Sequence, residues 1–173
     1  MARNVEIKAR VASVEALLSR AAALADRGPE LLQQDDTFFS CASGRLKLRV
    51  FADGQAELIA YTRPDAAGPK LSDYSIARVT DPDTLRQTLE RALGQAGRVR
   101  KQRTLFLVGR TRVHLDRIEG LGDFLELEVV LADDESAADG DAVARDLLAR
   151  LGVGQEQLIR GAYVDLINAK ETP

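Results

Sequence analysis

Histidine and cysteine are nearly absent from this chain: 173 residues hold one of each, His114 and Cys41. A single cysteine excludes an internal disulfide, and one histidine with one cysteine makes the usual Cys/His zinc site implausible. A bound metal is therefore expected on carboxylates, which suits a hard cation such as magnesium or manganese. No apolar run reaches the roughly 20 residues that a membrane-spanning helix needs. The N-terminus is charged from Arg3 and has no apolar leader. An excess of positive charge is missing as well. The 24 Lys and Arg stand against 27 Asp and Glu, a net charge of -3, which argues against a dedicated nucleic-acid binder. The expectation is a cytoplasmic protein with neither a membrane nor a nucleic-acid partner, forming one domain over residues 1–173.

What is present is alternation. Residues 3–11 read as a strand, and so do 31–40, RLKLRVF (45–51), AELIAYTR (56–63) and, more weakly, 73–79. Asp53-Gly54 is a hairpin signal between two of them. RVRKQRTLFLVGRTRVHLDRI (98–118) holds two strands turning near Gly109, and DFLELEVVL (123–131) is another. Helical spacing appears in VEALLSRAAALAD, with Ser13 as the expected N-cap and Gly28-Pro29 as its end. Asp81-Pro82-Asp83 starts a second helix with Leu85, Leu89, Ala92 and Leu93 as its buried stripe and Gly97 just past it. A third is expected over 141–151 after an acidic loop (132–140), and the tail (155–170) reads as two short helices. Short strands joined by hairpin signals favour an antiparallel sheet.

The charges fall on one side of these strands. Asn4, Glu6, Lys8 and Arg10 share a face, as do Arg45, Lys47 and Arg49, with Leu46, Leu48 and Val50 opposite. Glu57, Ile59, Tyr61 and Arg63 form another set, and Lys101 and Arg103 are two apart. Arg110, Arg112, His114 and Asp116 line one face, and Glu126 and Glu128 another. A wet sheet face would also be charged, but three bases along one strand repel unless an anion or a carboxylate row compensates. The alternative is a closed barrel with its polar face inward and its apolar face covered by the amphipathic helices. A lumen lined by Arg and Lys focuses its field on a polyanion even in an acidic protein. Arg suits bidentate phosphate contacts and Lys acts as a point charge. Carboxylates in the same lumen make sense as ligands of a divalent cation bridging protein and phosphate.

In order along the chain, several motifs resemble the CYTH or triphosphate-tunnel superfamily, which includes class IV adenylyl cyclases, thiamine triphosphatases and inorganic triphosphatases. Asn4-Val5-Glu6-Ile7-Lys8 stands where that family has E-x-E-x-K. Gln34-x-Asp36-x-Phe38-Phe39 is similar to its Q-x-D-x-Y-F. Arg45-x-Lys47-x-Arg49, LIAYTRPD (58–65), Lys101-x-Arg103, VHLDRIEGLGDFLELEVV (113–130) and AYVDLI (162–167) continue the match. The resemblance implies an α+β fold: an eight-stranded antiparallel closed barrel with a charged lumen, flanked by helices. It implies that Lys8, Arg45, Lys47, Arg49, Arg63, Lys101 and Arg103 bind phosphate, joined by Arg110 and Arg112 from the part of the family that carries them. It implies Glu6, Asp116, Glu126 and Glu128 as ligands of Mg2+ or Mn2+, Glu57 as a further carboxylate, and Glu6, Lys8 and Asp116 as the catalytic set. A homodimer is plausible on the same ground.

Asn4 is the departure. An amide offers a neutral oxygen and lacks the charge that holds hard cations, so one site built on Glu6 with Glu126 or Glu128 is expected to persist and a second to weaken. His114 reads as a phosphate or carboxylate partner, Tyr61 as a candidate nucleoside contact, Phe38 and Phe39 as packing, and Cys41 as inert. Three functions fit. The first is a cyclase converting ATP to cyclic AMP and pyrophosphate. The second is a triphosphatase acting on tripolyphosphate or an organic triphosphate, and the third a non-catalytic binder of polyphosphate or nucleotide.

Overall fold

The alternating segments close into a ring. In the computed structural model, which describes residues 2–171, eight strands form: β1 (Ala2–Arg10), β2 (Arg27–Phe39), β3 (Arg45–Phe51), β4 (Ala56–Thr62), β5 (Lys70–Val79), β6 (Gln95–Val108), β7 (Thr111–Ile118) and β8 (Gly122–Val130). They run antiparallel in the order β1-β5-β4-β3-β2-β6-β7-β8, and β8 returns to β1. Four helices flank them: α1 (Glu15–Leu24), α2 (Pro82–Leu93), α3 (Ala137–Leu151) and α4 (Tyr163–Glu171). Among the described residues, no helix is long and apolar enough to cross a membrane.

The apolar side of the ring faces outward, under the helices. Val5, Ile7 and Ala9 of β1 form one cluster with Val113, Leu115, Leu125, Leu127 and Val129 of β7 and β8. Leu17 and Ala21 of α1 and Ala144, Leu147, Leu148 and Leu151 of α3 cover them. Each of the three α3 leucines contributes about 1.5–3 kcal/mol by its burial. Helix α3 lies close to the sheet because Gly140 has no side chain: a Cβ there would meet Val5 Cγ2 at 2.7 Å and Leu131 Cδ2 at 2.8 Å. A second cluster draws on inward-facing residues instead: Phe38, Val99, Ile118 and Phe124 meet Ala162, Tyr163 and Val164, so the first turn of α4 packs into the ring rather than on its outer face. The third sets Phe39, Leu48 and Ala56 against Leu85 and Leu89 of α2.

Several boundaries differ from expectation. Position Val14, rather than Ser13, occupies the N-cap of α1; its N–H donates to Asp123 Oδ2 at 2.8 Å, while the Ser13 hydroxyl donates to Glu15. Gly28-Pro29 does not end that helix. It lies inside β2, which starts four residues before the expected strand, and a register shift between Arg27 and Glu30 absorbs a proline that cannot donate to the ladder. β5 begins at Lys70 rather than 73. The stripe of α2 is half as wide as its pattern suggests: Leu85 and Leu89 are half-buried, but Ala92 and Leu93 are exposed, and Gly94 caps the helix instead of Gly97. The acidic segment is partly helical, because Ser136 and Asp139 form a capping box that starts α3 at Ala137 rather than 141.

Candidate active site

The other face of every strand points into the ring and lines a cavity of about 400 Å3, within the roughly 300–1,000 Å3 of small-molecule sites. Seven cations lie on its wall: Lys8, Lys47, Arg49, Arg63, Lys101, Arg103 and Arg112. Five carboxylates face them: Glu6, Asp36, Glu57, Glu126 and Glu128. Buried charges on this scale persist only when paired, and the pairs follow from the register. Asp36 lies across from Arg49 on β3. It accepts from Arg49 Nε and Nη2 at 2.7 Å, from Lys47 Nζ at 3.1 Å and from Lys101 Nζ at 3.5 Å. Lys8 lies across from Glu126 on β8 and pairs with it at 3.1 Å. Arg63 pairs with Glu6 at 3.1 Å, and Arg112 Nε donates to Glu128 at 2.7 Å.

Burial and like charges strain this balance. Burial pulls the Lys101 ammonium down to about 7, helped by Arg103, Arg49 and Lys47 and opposed by Asp36. Lys70, beside the same wall, falls to about 8 through burial and the charges of Arg63 and Lys8. Burial, then the charge of Glu126, pushes the Glu6 carboxyl up against the opposing pull of Arg63 and Lys8. For Glu126 burial also acts upward, but Lys8, the His114 contact and Arg103 outweigh it and hold the group well below the usual carboxylate range. Burial and Arg103 lower His114, which leaves its imidazole neutral near pH 7. A wall of crowded, partly discharged bases of this kind gains from an anionic guest.

Not every expected residue lines the cavity. Arg45 is held outside it by Asp165 of α4, at 3.0 and 2.7 Å. Arg110 sits in the exposed β6–β7 turn, paired with Glu135. It follows Gly109, where the chain leaves the ladder, so strand alternation no longer sets its direction. Asp116 is fully buried behind the wall rather than at its surface. Its carboxylate accepts from Arg103 Nε and Nη2 at 2.7 Å and from the Tyr163 hydroxyl at 2.8 Å. That pairing fixes the Arg103 guanidinium, which reaches on to Glu126 Oε2 at 2.8 Å. The cavity also includes residues that strand alternation alone did not single out. Asp36 belongs to the Gln34-x-Asp36-x-Phe38-Phe39 motif and has inner-face parity, but a carboxylate on one strand does not by itself signal three basic partners. Gln34 stood in the same motif. Tyr163 comes from the C-terminal helix; Lys8 Nζ lies 4.1 Å from its ring centroid.

The structure carries donors for a cation in one place among the described residues. His114 Nδ1 and oxygens of Glu126 and Glu128 lie within 4.8 Å of one another. His114 Nδ1 is buried without a hydrogen-bond partner, and so is Asn4 Oδ1. Two carboxylates and a neutral imidazole fit a divalent ion. Glu6 and Asp116, the other expected ligands, are outside this group.

The comparisons agree with the geometry. An adenylate cyclase, CyaB, from Aeromonas hydrophila is 29% identical over 188 residues, covering 98% of this chain and 94% of that protein. The structure of the PH1012 protein from Pyrococcus horikoshii OT3 superposes with a TM-score of 0.83 at 23% identity, covering 94% of this chain and 98% of that one. HpAC1 from Hippeastrum, a putative adenylyl cyclase described as having a dominant triphosphatase activity, superposes with a TM-score of 0.69 at 16% identity, over 100% of this chain and 97% of that one. Residues 2–163, the whole closed barrel with α1, α2 and α3, match the CYTH domain model, and the chain belongs to the CYTH domain family.

Proposed function

We propose that this protein is a divalent-cation-dependent enzyme acting on a triphosphate inside the tunnel, with class IV cyclase-like conversion of ATP to cyclic AMP and pyrophosphate as the leading reaction. The observation that carries the reading is the wall itself: seven cations and five carboxylates converge on one cavity. An uncharged substrate would leave those groups unrewarded for their desolvation. Similarity to an adenylate cyclase over nearly the full length of both chains supports the cyclase form.

In this reading Lys47, Arg49 and Lys101 exchange part of their hold on Asp36 for phosphate oxygens. Arg103, fixed bidentately by Asp116, presents its fork at a set angle to the phosphate chain. Lys8, Arg63 and Arg112 offset the charge that builds on the leaving group. Glu126 and Glu128 with His114 are the residues that would hold Mg2+ or Mn2+, which supplies Lewis-acid polarisation of phosphoryl oxygens and a lower pKa for an attacking hydroxyl or water. Asn4 and Ser72 lie opposite each other at one end of the wall and offer neutral polar contacts.

Hydrolysis of the terminal phosphate is the second reading. The same wall would seat tripolyphosphate, and the neutral Asn4 where the resemblance calls for a carboxylate favours simpler chemistry with one cation. Product analysis decides between the two. The protein is incubated with Mg2+ or Mn2+ and either ATP or tripolyphosphate. Cyclic AMP with pyrophosphate supports the cyclase, and orthophosphate the triphosphatase. If Glu126→Gln and Arg49→Ala leave triphosphate binding and turnover unchanged, the tunnel is not the site.

A further inference from the structure

His114 is the only histidine of the chain, and it faces two glutamates on the neighbouring strand. The β7–β8 register sets His114 across from Glu126 and Arg112 across from Glu128. The imidazole Nδ1 lies 3.5 Å from Glu126 Oε2 and 4.0 Å from Glu128 Oε1. The side chain is 3% exposed, and Nδ1 has no hydrogen-bond partner among the described residues. A buried polar nitrogen without a partner is costly. A cation placed among the three atoms gives this nitrogen a partner and offsets the two adjacent carboxylates.

We propose that His114 Nδ1 is a direct ligand of the tunnel's divalent cation, and that this nitrogen donor makes the site select Mn2+ over Mg2+. The proposal rests on reading the His114, Glu126 and Glu128 group as the cation site. Mg2+ takes oxygen donors and sheds water reluctantly. Imidazole is a donor for first-row transition cations, and Mn2+ is the ion that also sits well on carboxylates. The third donor is nitrogen because, among the described residues, no third carboxylate joins Glu126 and Glu128 within 4.8 Å. Glu6 lies across from Glu128 but is paired with Arg63 at 3.1 Å, and Asn4 carries no charge. Glu126 also pairs with Lys8 and Arg103, and Glu128 with Arg112, yet each carboxylate has about four lone-pair sites and can serve these partners and an ion. Two carboxylates and one imidazole neutralise a divalent ion and leave coordination positions for phosphate oxygens.

Because the chain has one histidine, its ring nitrogens give unambiguous 15N NMR signals. The full chain is titrated with Zn2+ as a diamagnetic stand-in, and the Nδ1 resonance is followed. Mn2+ affinity is measured from the free-ion EPR signal, with Mg2+ as competitor, for wild type, His114→Gln and Glu126→Gln. Coordination moves the Nδ1 resonance. Half-displacement of Mn2+ takes an excess of Mg2+ on the order of 100-fold, and His114→Gln weakens Mn2+ by about tenfold or more while changing Mg2+ less. Should His114→Gln fail to fold, the wild-type resonance and the competition still decide. Mn2+ binding that is lost in Glu126→Gln, with an unmoved Nδ1 resonance or equal displacement by Mg2+, overturns the nitrogen ligand and leaves the cation site standing. No cation binding by the wild type overturns both.

Discussion

Replacing Asp36 by Asn removes one charge from the tunnel without changing its shape. Asp36 is 1% exposed and is the shared counter-ion of Arg49, Lys47 and Lys101. An amide of the same size leaves no void, so the effect is electrostatic. Breaking a buried pair costs about 3–5 kcal/mol, and for a chain of this length each kcal/mol moves the melting point by about 2–4 °C, so a fall of about 6–20 °C is expected. The half-buried neighbour Asp35, which faces outward and pairs with Arg98 and Arg100, is the control; Asp35→Asn is expected to cost about 1 kcal/mol or less. The informative arm adds tripolyphosphate. An anion seated among the three cations takes over the role of Asp36, so the variant binds it more tightly than wild type does, and each tenfold gain in affinity closes the deficit by about 1.4 kcal/mol at saturation. Thermal unfolding of both variants at pH 7.5, with and without about 1 mM tripolyphosphate, measures this. At least half of the Asp36→Asn deficit is expected to disappear with ligand. A deficit below about 2 °C, or one that tripolyphosphate leaves unchanged, would refute the assignment of this cluster as a phosphate seat.

Further outcomes follow from the same geometry. Lys101 titrates at about 7 in the folded chain against an ordinary 10.5, so the unfolded chain binds more protons across that window and this group's contribution to stability rises with pH through it. Seating a triphosphate restores the ammonium, so binding at pH 8 is expected to take up about one proton, read by calorimetry in buffers of different ionisation enthalpy; zero uptake contradicts it. Gly140→Ala improves helix propensity by about 1 kcal/mol, yet its methyl meets Val5 and Leu131, an overpacking cost of about 1–3 kcal/mol. Net destabilisation in urea is expected, and a stabilised variant would show that α3 can lift from the sheet. Asn4→Glu adds a carboxylate to the wall and is expected to tighten Mn2+ binding; an unchanged affinity places position 4 beyond reach of the ion.

The barrel was legible wherever the period was strict. Leu46, Leu48 and Val50 alternate with Arg45, Lys47 and Arg49, and the structure puts the first set under α2 and brings Lys47 and Arg49 to the cavity. Alternation fixes the face but not the depth. Arg45 and Asp116 have the right parity, yet one lies outside the cavity against Asp165 and the other behind Arg103. Gly28-Pro29 signals a break in the sequence, whereas in β2 a register shift carries it within the strand.

Sequence by itself determined which side chains share a wall, because a period of two is a property of the backbone and needs no partner. Only the tertiary structure decided which charges meet. Asp36 reaches Lys101 across 65 positions because β2 pairs with β6, and the Tyr163 hydroxyl reaches Asp116 because α4 packs into the ring. Those choices depend on the order in which eight strands close. In a low-dielectric interior that order governs the pairing energies, and through them which bases are left open to a phosphate and which carboxylates to a cation.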